Sequence, residues 1–215
     1  MSTSATEVES KTESPRERIL VAAIAMARRV GLEGISIGSL AKEVGMSKAG
    51  LFAHFGSKED LQLATFEAAL ASFTKRVLAP AEQTERGLPR LYQVISDWIS
   101  LTECARDQGG CFFYAVSAEF DGRPGAVRDR LVQASNQWLE WIQRQIVLAK
   151  ERGHLLPDVD EVQLAFEIHA FEQQANWASQ LLKQADAFDR ARISVKERLR
   201  TLATEQGKAF LDAAT

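Results

Sequence analysis

Apolar residues along this chain recur at intervals of three and four, the spacing of one face of an α-helix, from Ile19 almost to the C-terminus. The first run is Ile19, Ala23, Met26, Ala27 and Val30, with Arg16, Arg28 and Arg29 off the stripe. Ser14 and Pro15 supply a cap oxygen and a proline at the first helical position, and Glu17 completes the spacing of a capping box. Gly31 ends this helix. A second starts at Ser36, carries Ile37, Leu40, Ala41 and Val44, and ends at Gly45. A third runs from Lys48 to Phe55, capped by Ser47 and closed by Gly56. Ser57 opens a longer helix whose Glu59 and Asp60 suit its positive end; apolar positions continue to Leu78, and Pro80 breaks it.

Two short helices around a glycine turn, the second beginning with small polar residues, form the helix-turn-helix pattern, whose second helix turns its N-terminal end to the DNA major groove. Leu51 and Phe55, four apart, are its inward pair. Lys48, Ala49, Gly50, Ala53 and His54 are not all core, because the run is too short and too poor in bulky residues. Ala49 and Gly50 let the backbone approach DNA closely, Ala49 can touch a thymine methyl, and Lys48 can reach a phosphate or a guanine edge. Lys58 stands at a helix start, where backbone N–H groups also face phosphate.

Past Pro89 the helical spacing continues through Leu91, Ile95, Trp98, Ile99 and Thr102. Gly109-Gly110 breaks it, and Cys111 to Val116 begins a short, nearly all-apolar helix before a turn over Asp121 to Gly125. A long helix carries Val127, Leu131, Ala134, Trp138, Trp141, Gln145 and Leu148 and stops at Gly153. Asp160 starts the next, with Leu164, Ile168, Phe171, Ala175, Ala178 and Leu182 in heptad spacing; a last helix holds Val195, Leu199, Leu202 and Ala209. By spacing alone, these two seams fit a helical dimer interface or an internal core equally well. Trp98, Phe112, Phe113, Tyr114, Trp138 and Phe166 suffice to line an apolar ligand cavity, and each also suits plain core. His169, one residue off the seam, fits a pocket wall or a satisfied buried histidine.

The expected fold is therefore all-α: a polar, disordered tail over residues 1–14, a three-helix helix-turn-helix domain over 15–60, and a helical domain over 61–215. With 13 Gly and 5 Pro the chain has too few turn residues for a sheet protein. No uncharged apolar stretch approaches the roughly 20 residues that span a bilayer, and the polar start lacks a signal-peptide core. A cytoplasmic location follows, with no membrane partner. Cys104 and Cys111 suit a reducing compartment and small core positions, a thiol sensor being the alternative.

Charge sharpens the division. Residues 15–58 hold seven basic against three acidic side chains, or +4, leaving −7 for the rest of a chain whose net charge is −3. That asymmetry suits a basic module meeting phosphate. Enzyme chemistry finds no support. Glu151 and His154 have di-iron spacing, but neither other histidine has a glutamate three before it, and no Gly-rich phosphate loop is present. Neither cofactor nor metal is expected.

The stretch from Ile35 to Leu61 resembles the DNA-binding core of the TetR family of bacterial repressors. The likeness rests on Leu40-Ala41, Gly45, Ser47-Lys48, Leu51-Phe52, His54-Phe55 and Ser57-Lys58-Glu59 in this order. The resemblance implies DNA contacts from Ser36, Ile37, Gly38, Ser47, Lys48, Ala49, Gly50, Phe52, His54 and Lys58, with His54 donating to a phosphate. It also implies a homodimer built on the last two long helices, which places Leu164, Ile168, Phe171, Ala175, Ala178, Leu182, Val195, Leu199 and Leu202 at the interface. Two-fold pairing suits a pseudo-palindromic double-stranded operator. Phe52 stands where the family commonly has Tyr, and Gly38 where it often carries a longer side chain. Direct base readout therefore looks thin, leaving more to DNA shape. Gly109 to Arg123 resembles one branch of the family, without naming its ligand. The function implied is a ligand-responsive transcription regulator, a repressor released by a small, largely apolar effector. Control by a partner protein is the alternative.

Overall fold

The computed structural model describes residues 14–214, so the tail expectation for residues 1–13 lies outside the described residues. The described chain is helical: α1 Pro15–Val30, α2 Ile37–Glu43, α3 Lys48–Phe55, α4 Lys58–Phe73, α5 Leu88–Cys104, α6 Phe112–Phe120, α7 Ala126–Glu151, α8 Glu161–Leu181, α9 Ala187–Leu202 and α10 Glu205–Ala213. None of these helices is long and apolar enough to cross a membrane.

The helix starts follow from local chemistry. Ser14 Oγ accepts the Glu17 N–H while its own N–H donates to the Glu17 carboxylate, satisfying two donors that a helix start leaves unpaired. Ser36, Ser47 and Ser57 each accept the N–H three residues on. Gly45 turns the chain between α2 and α3 at φ +68°, a conformation open to glycine at little cost. After Phe73, α4 runs on through one π-helical turn, Thr74–Leu78, in which the Ala79 N–H donates to the Thr74 carbonyl at 2.8 Å. Pro80 then ends it.

Two apolar clusters organise the molecule. The first joins α1 to α4 and is closed by Phe112, Val116 and Phe120 of α6 and Val127 and Leu131 of α7. The second gathers the end of α4 with α5, α7, α8, α9 and α10. Helix α4 passes through both, and Phe113 packs against both.

The structure corrects two expectations. The last helix is two helices, broken at Ala203–Thr204. There the chain pairs with the α7–α8 connection: Leu156 N–H donates to Leu202 O and Thr204 N–H to His154 O, at 2.9 and 3.1 Å. Gly207, in α10, lies so close that a Cβ would sit 2.0 Å from His154 O. The heptad seams are also internal. Leu164, Ile168, Ala175, Ala178, Val195 and Leu199 are buried within the single chain, and Phe171 and Leu202 pack against the same cluster. The reason is that α5 and α7 already cover that side of the α8–α9 pair. Leu182 is exposed at the end of α8. The side of α8 left uncovered carries Val162, Phe166, Trp177 and Leu181, which fall within about 100° of one another at 3.6 residues per turn.

Candidate nucleic-acid interface and internal cavity

Leu51 and Phe55 anchor α3, both buried in the first cluster, and the Arg16 guanidinium of α1 lies 5.2 Å from the Phe55 ring centre. The remaining surface of α3 is open: Ser47, Lys48, Ala49 and Phe52 are exposed, and Gly50 and His54 half-exposed. At the start of α2, Ser36 is exposed and Gly38 half-buried, while Ile37 packs against the core. A Cβ on Gly38 would meet Lys48 Cε at 3.0 Å, so the glycine leaves room for the lysine to lie across α2.

Lys58 has an internal partner. Its ammonium donates to the Glu33 carboxylate and to the Glu33 carbonyl, both at 2.7 Å. Gln62 donates to the same carboxylate at 2.8 Å. Hydrogen bonds from Lys58 and Gln62 hold the Glu33 carboxyl below its usual range, against a smaller opposing effect of burial. The segment that carries Glu33 is itself clamped. Glu119, near the end of α6, accepts the Leu32 N–H at 2.7 Å and the Glu33 N–H at 3.2 Å. A carboxylate of α6 thus fixes the α1–α2 connection, which in turn fixes the first turn of α4.

Both members of the Lys58–Glu33 pair are more than two-fifths exposed, and such pairs contribute about 0–1 kcal/mol. Lys58→Ala is therefore expected to flatten the salt dependence of DNA binding by about one phosphate contact. Affinity at 0.15 M salt should fall by less than about fivefold, since the lysine must leave Glu33 to reach DNA. Anisotropy titrations at several salt concentrations measure both, and an unchanged slope would remove Lys58 from the DNA contacts.

The second site is a cavity of about 130 Å³ among α4, α5, α6, α7 and α8. Its walls are aromatic. Trp138 meets Phe73 edge-on at 5.3 Å and Trp98 at 5.1 Å, and Phe113 meets Phe73 at 5.9 Å. His169 stacks on Trp98 at 5.5 Å, and burial pushes its pKa down, so the imidazole is neutral at pH 7. Glu172, three residues on along α8, is buried; one oxygen accepts the Thr102 hydroxyl at 2.9 Å. The other has no partner among the described residues. Burial pushes its carboxyl up to about 8, with the Thr102 bond opposing. Cys111 also lines the cavity; burial, and then the nearby Glu172, push its thiol up to about 12, which removes the thiolate a redox sensor needs.

The cavity brings together Trp98, Phe113, Tyr114, Trp138 and His169 of the residues expected there. Phe112 turns instead to the first cluster, 6.2 Å from Phe66. Phe166 is corrected: it is 67% exposed, on the uncovered side of α8. Sequence reasoning missed Phe73, Glu172 and Glu119. Glu172 had a signal, because it follows His169 by three and interrupts an apolar helix face. Glu119 had none, since its partners lie 87 and 86 residues earlier.

Residues 19–65 match the family model described as bacterial regulatory proteins, tetR family, and residues 87–195 match the model described as tetracyclin repressor-like, C-terminal domain. No curated protein matches the chain. Among solved structures, a TetR transcriptional regulator from Chloroflexus aurantiacus is similar at a TM-score of 0.75 and 24% identity, over 87% of this chain and 95% of that one. A transcriptional regulator from Saccharomonospora viridis, in complex with choline, gives 0.73 and 22%, over 88% and 98%. AibR, in complex with isovaleryl coenzyme A and operator DNA, gives 0.68 and 20%, over 87% and 97%.

Proposed function

Since the chain belongs to the TetR family of bacterial regulatory proteins, we propose that it is a transcriptional repressor. In this reading it binds a pseudo-palindromic operator as a homodimer and leaves it when a small molecule with an apolar body fills the cavity. One observation carries the reading: α4, which packs on α3, and α6, which clamps the α1–α2 connection, also form walls of the cavity. The first turn of α4 holds Lys58 while its later turns supply Leu70 and Phe73 to the cavity. Helix α6 supplies Phe113 and Tyr114 to the cavity and Glu119 to the α1–α2 connection. The choline complex of the Saccharomonospora regulator and the ligand and operator complex of AibR support such a use of the fold.

The dimer surface we propose is the uncovered side of α8, with Val162, Phe166, Trp177 and Leu181, joined by exposed Ile193 of α9. Large apolar side chains exposed together along one helix side mark a candidate interaction surface. Paired recognition helices must meet half-sites about 34–36 Å apart, and a shift of a few Å in α4 or α6 loses one of them. A ligand produces that shift only by binding better to the arrangement that fits DNA poorly.

Selection from a random pool of DNA duplexes with the full chain tests the function. Enrichment of an inverted repeat with half-sites one helical turn apart is expected; a pool that stays random rejects the reading. Glu119→Ala tests the route. It should lower stability by about 1 kcal/mol and leave quenching of the cavity tryptophans by bound compounds unchanged. It should also weaken the release of operator that those compounds cause, as read by anisotropy.

A further inference from the structure

We propose that the cavity takes a small organic cation, an alkylammonium compound whose positive nitrogen sits beside Glu172 and against the Trp98, Trp138 and Phe73 rings. This deepens the ligand-responsive reading above, on which it rests for its link to DNA. Three features of the cavity carry it. First, Glu172 is a carboxyl buried in an aromatic-walled cavity, and among the described residues no cation answers it. A buried polar atom left without a partner costs free energy, and Glu172 Oε2 is such an atom while Oε1 is engaged by Thr102. Second, Phe73, Trp98 and Trp138 line the space, and the negative π faces of such rings attract ammonium groups over hydrocarbon of equal size. Third, about 130 Å³ is close to the roughly 150 Å³ cavity that admits benzene, which limits the ligand to a handful of heavy atoms.

The surrounding groups add no competing positive charge at the site itself. His169, on the same helix, is held neutral by burial, and the Cys111 thiol, from the start of α6, stays protonated. Thr102 of α5 and Tyr114 of α6 bring hydroxyl groups and no cation. The Arg28 guanidinium of α1 is felt by Cys111 and does not act on Glu172. With the cavity empty, the Glu172 carboxyl is held up near 8 by burial. A cation favours its ionised form, so binding expels a proton below that pH. Affinity should rise about tenfold per pH unit up to about pH 8 and level off above.

The experiment is calorimetry on the full-length protein with choline and with 3,3-dimethylbutan-1-ol, which has the same shape and hydroxyl with carbon in place of nitrogen. Choline is expected to bind at least tenfold more tightly at pH 8, with proton release at pH 7 seen as a buffer-dependent heat. Glu172→Gln should remove that preference and the proton release while leaving the alcohol's affinity unchanged. The wild-type ratio needs no variant, so a misfolded Glu172→Gln leaves the test intact. Equal binding of the two compounds, or no binding of choline at pH 8, overturns the proposal. Both results are independent of the duplex selection, so a failed ligand class and a failed DNA function are told apart.

Discussion

Phe166→Glu combined with Leu181→Glu is expected to yield folded monomers and to cut operator affinity by about 10²–10⁴-fold, the advantage that linking two half-site contacts provides. Both side chains are about two-thirds exposed in the single chain, so charging them leaves the folded core untouched. Across a dimer interface the same four glutamates would be desolvated against apolar partners and against one another. Light scattering reads the mass, and circular dichroism confirms that the helices persist. The comparison with Ile168→Glu and Leu199→Glu is decisive. Those two side chains are fully buried in the second cluster of one chain, and a buried, unpaired carboxylate costs several kcal/mol. That pair should unfold the protein instead of separating it. A folded dimer carrying Phe166→Glu and Leu181→Glu would move the interface elsewhere.

Phe66→Ala is expected to cost about 3–5 kcal/mol, which for a chain of this length lowers the melting temperature by on the order of 10 °C. Phe66 is fully buried on α4, where it meets Phe112 at 6.2 Å and Phe113 edge-on at 5.7 Å, with the Arg130 guanidinium 5.6 Å from its ring centre. Its ring joins α4 to α6 on the side away from the cavity's tryptophans. Differential scanning calorimetry reads the loss. Because α4 packs on α3 and α6 clamps the α1–α2 connection while both wall the cavity, operator release by any bound compound should weaken in the same variant at temperatures where it remains folded.

What the sequence made legible is what depends on near neighbours along the chain. The serine caps at Ser14, Ser36, Ser47 and Ser57 act over three residues, and each starts a helix at the position their spacing indicates. Leu51 and Phe55 face inward because a four-residue step returns to one side of a helix. The orientation of α8 was not legible. Both of its sides carry large apolar residues, Leu164 and Ile168 on one and Phe166 and Leu181 on the other, and spacing alone does not say which side the rest of the chain covers. The cavity's aromatic residues stood out by composition, whereas its polar member, Glu172, matters because Thr102 comes to it from 70 residues away.

If Lys58 meets a phosphate, as the salt titration above would show, its contact with Glu33 makes the protein carry its own competitor for DNA. Glu33 is an anion tethered beside the lysine, present at high effective concentration whatever the DNA concentration is. Moving Lys58 onto a phosphate gains about 1 kcal/mol at 0.15 M salt through counterion release, close to the upper end of what the exposed pair contributes. Near that ionic strength the exchange is almost balanced; in more dilute salt the phosphate wins, and in concentrated salt Glu33 does. A phosphate contact is blind to base sequence, so the tethered competitor discounts every duplex alike. It leaves the ratio of operator to bulk DNA binding unchanged and lowers total occupancy of the genome, keeping more of the protein free to search.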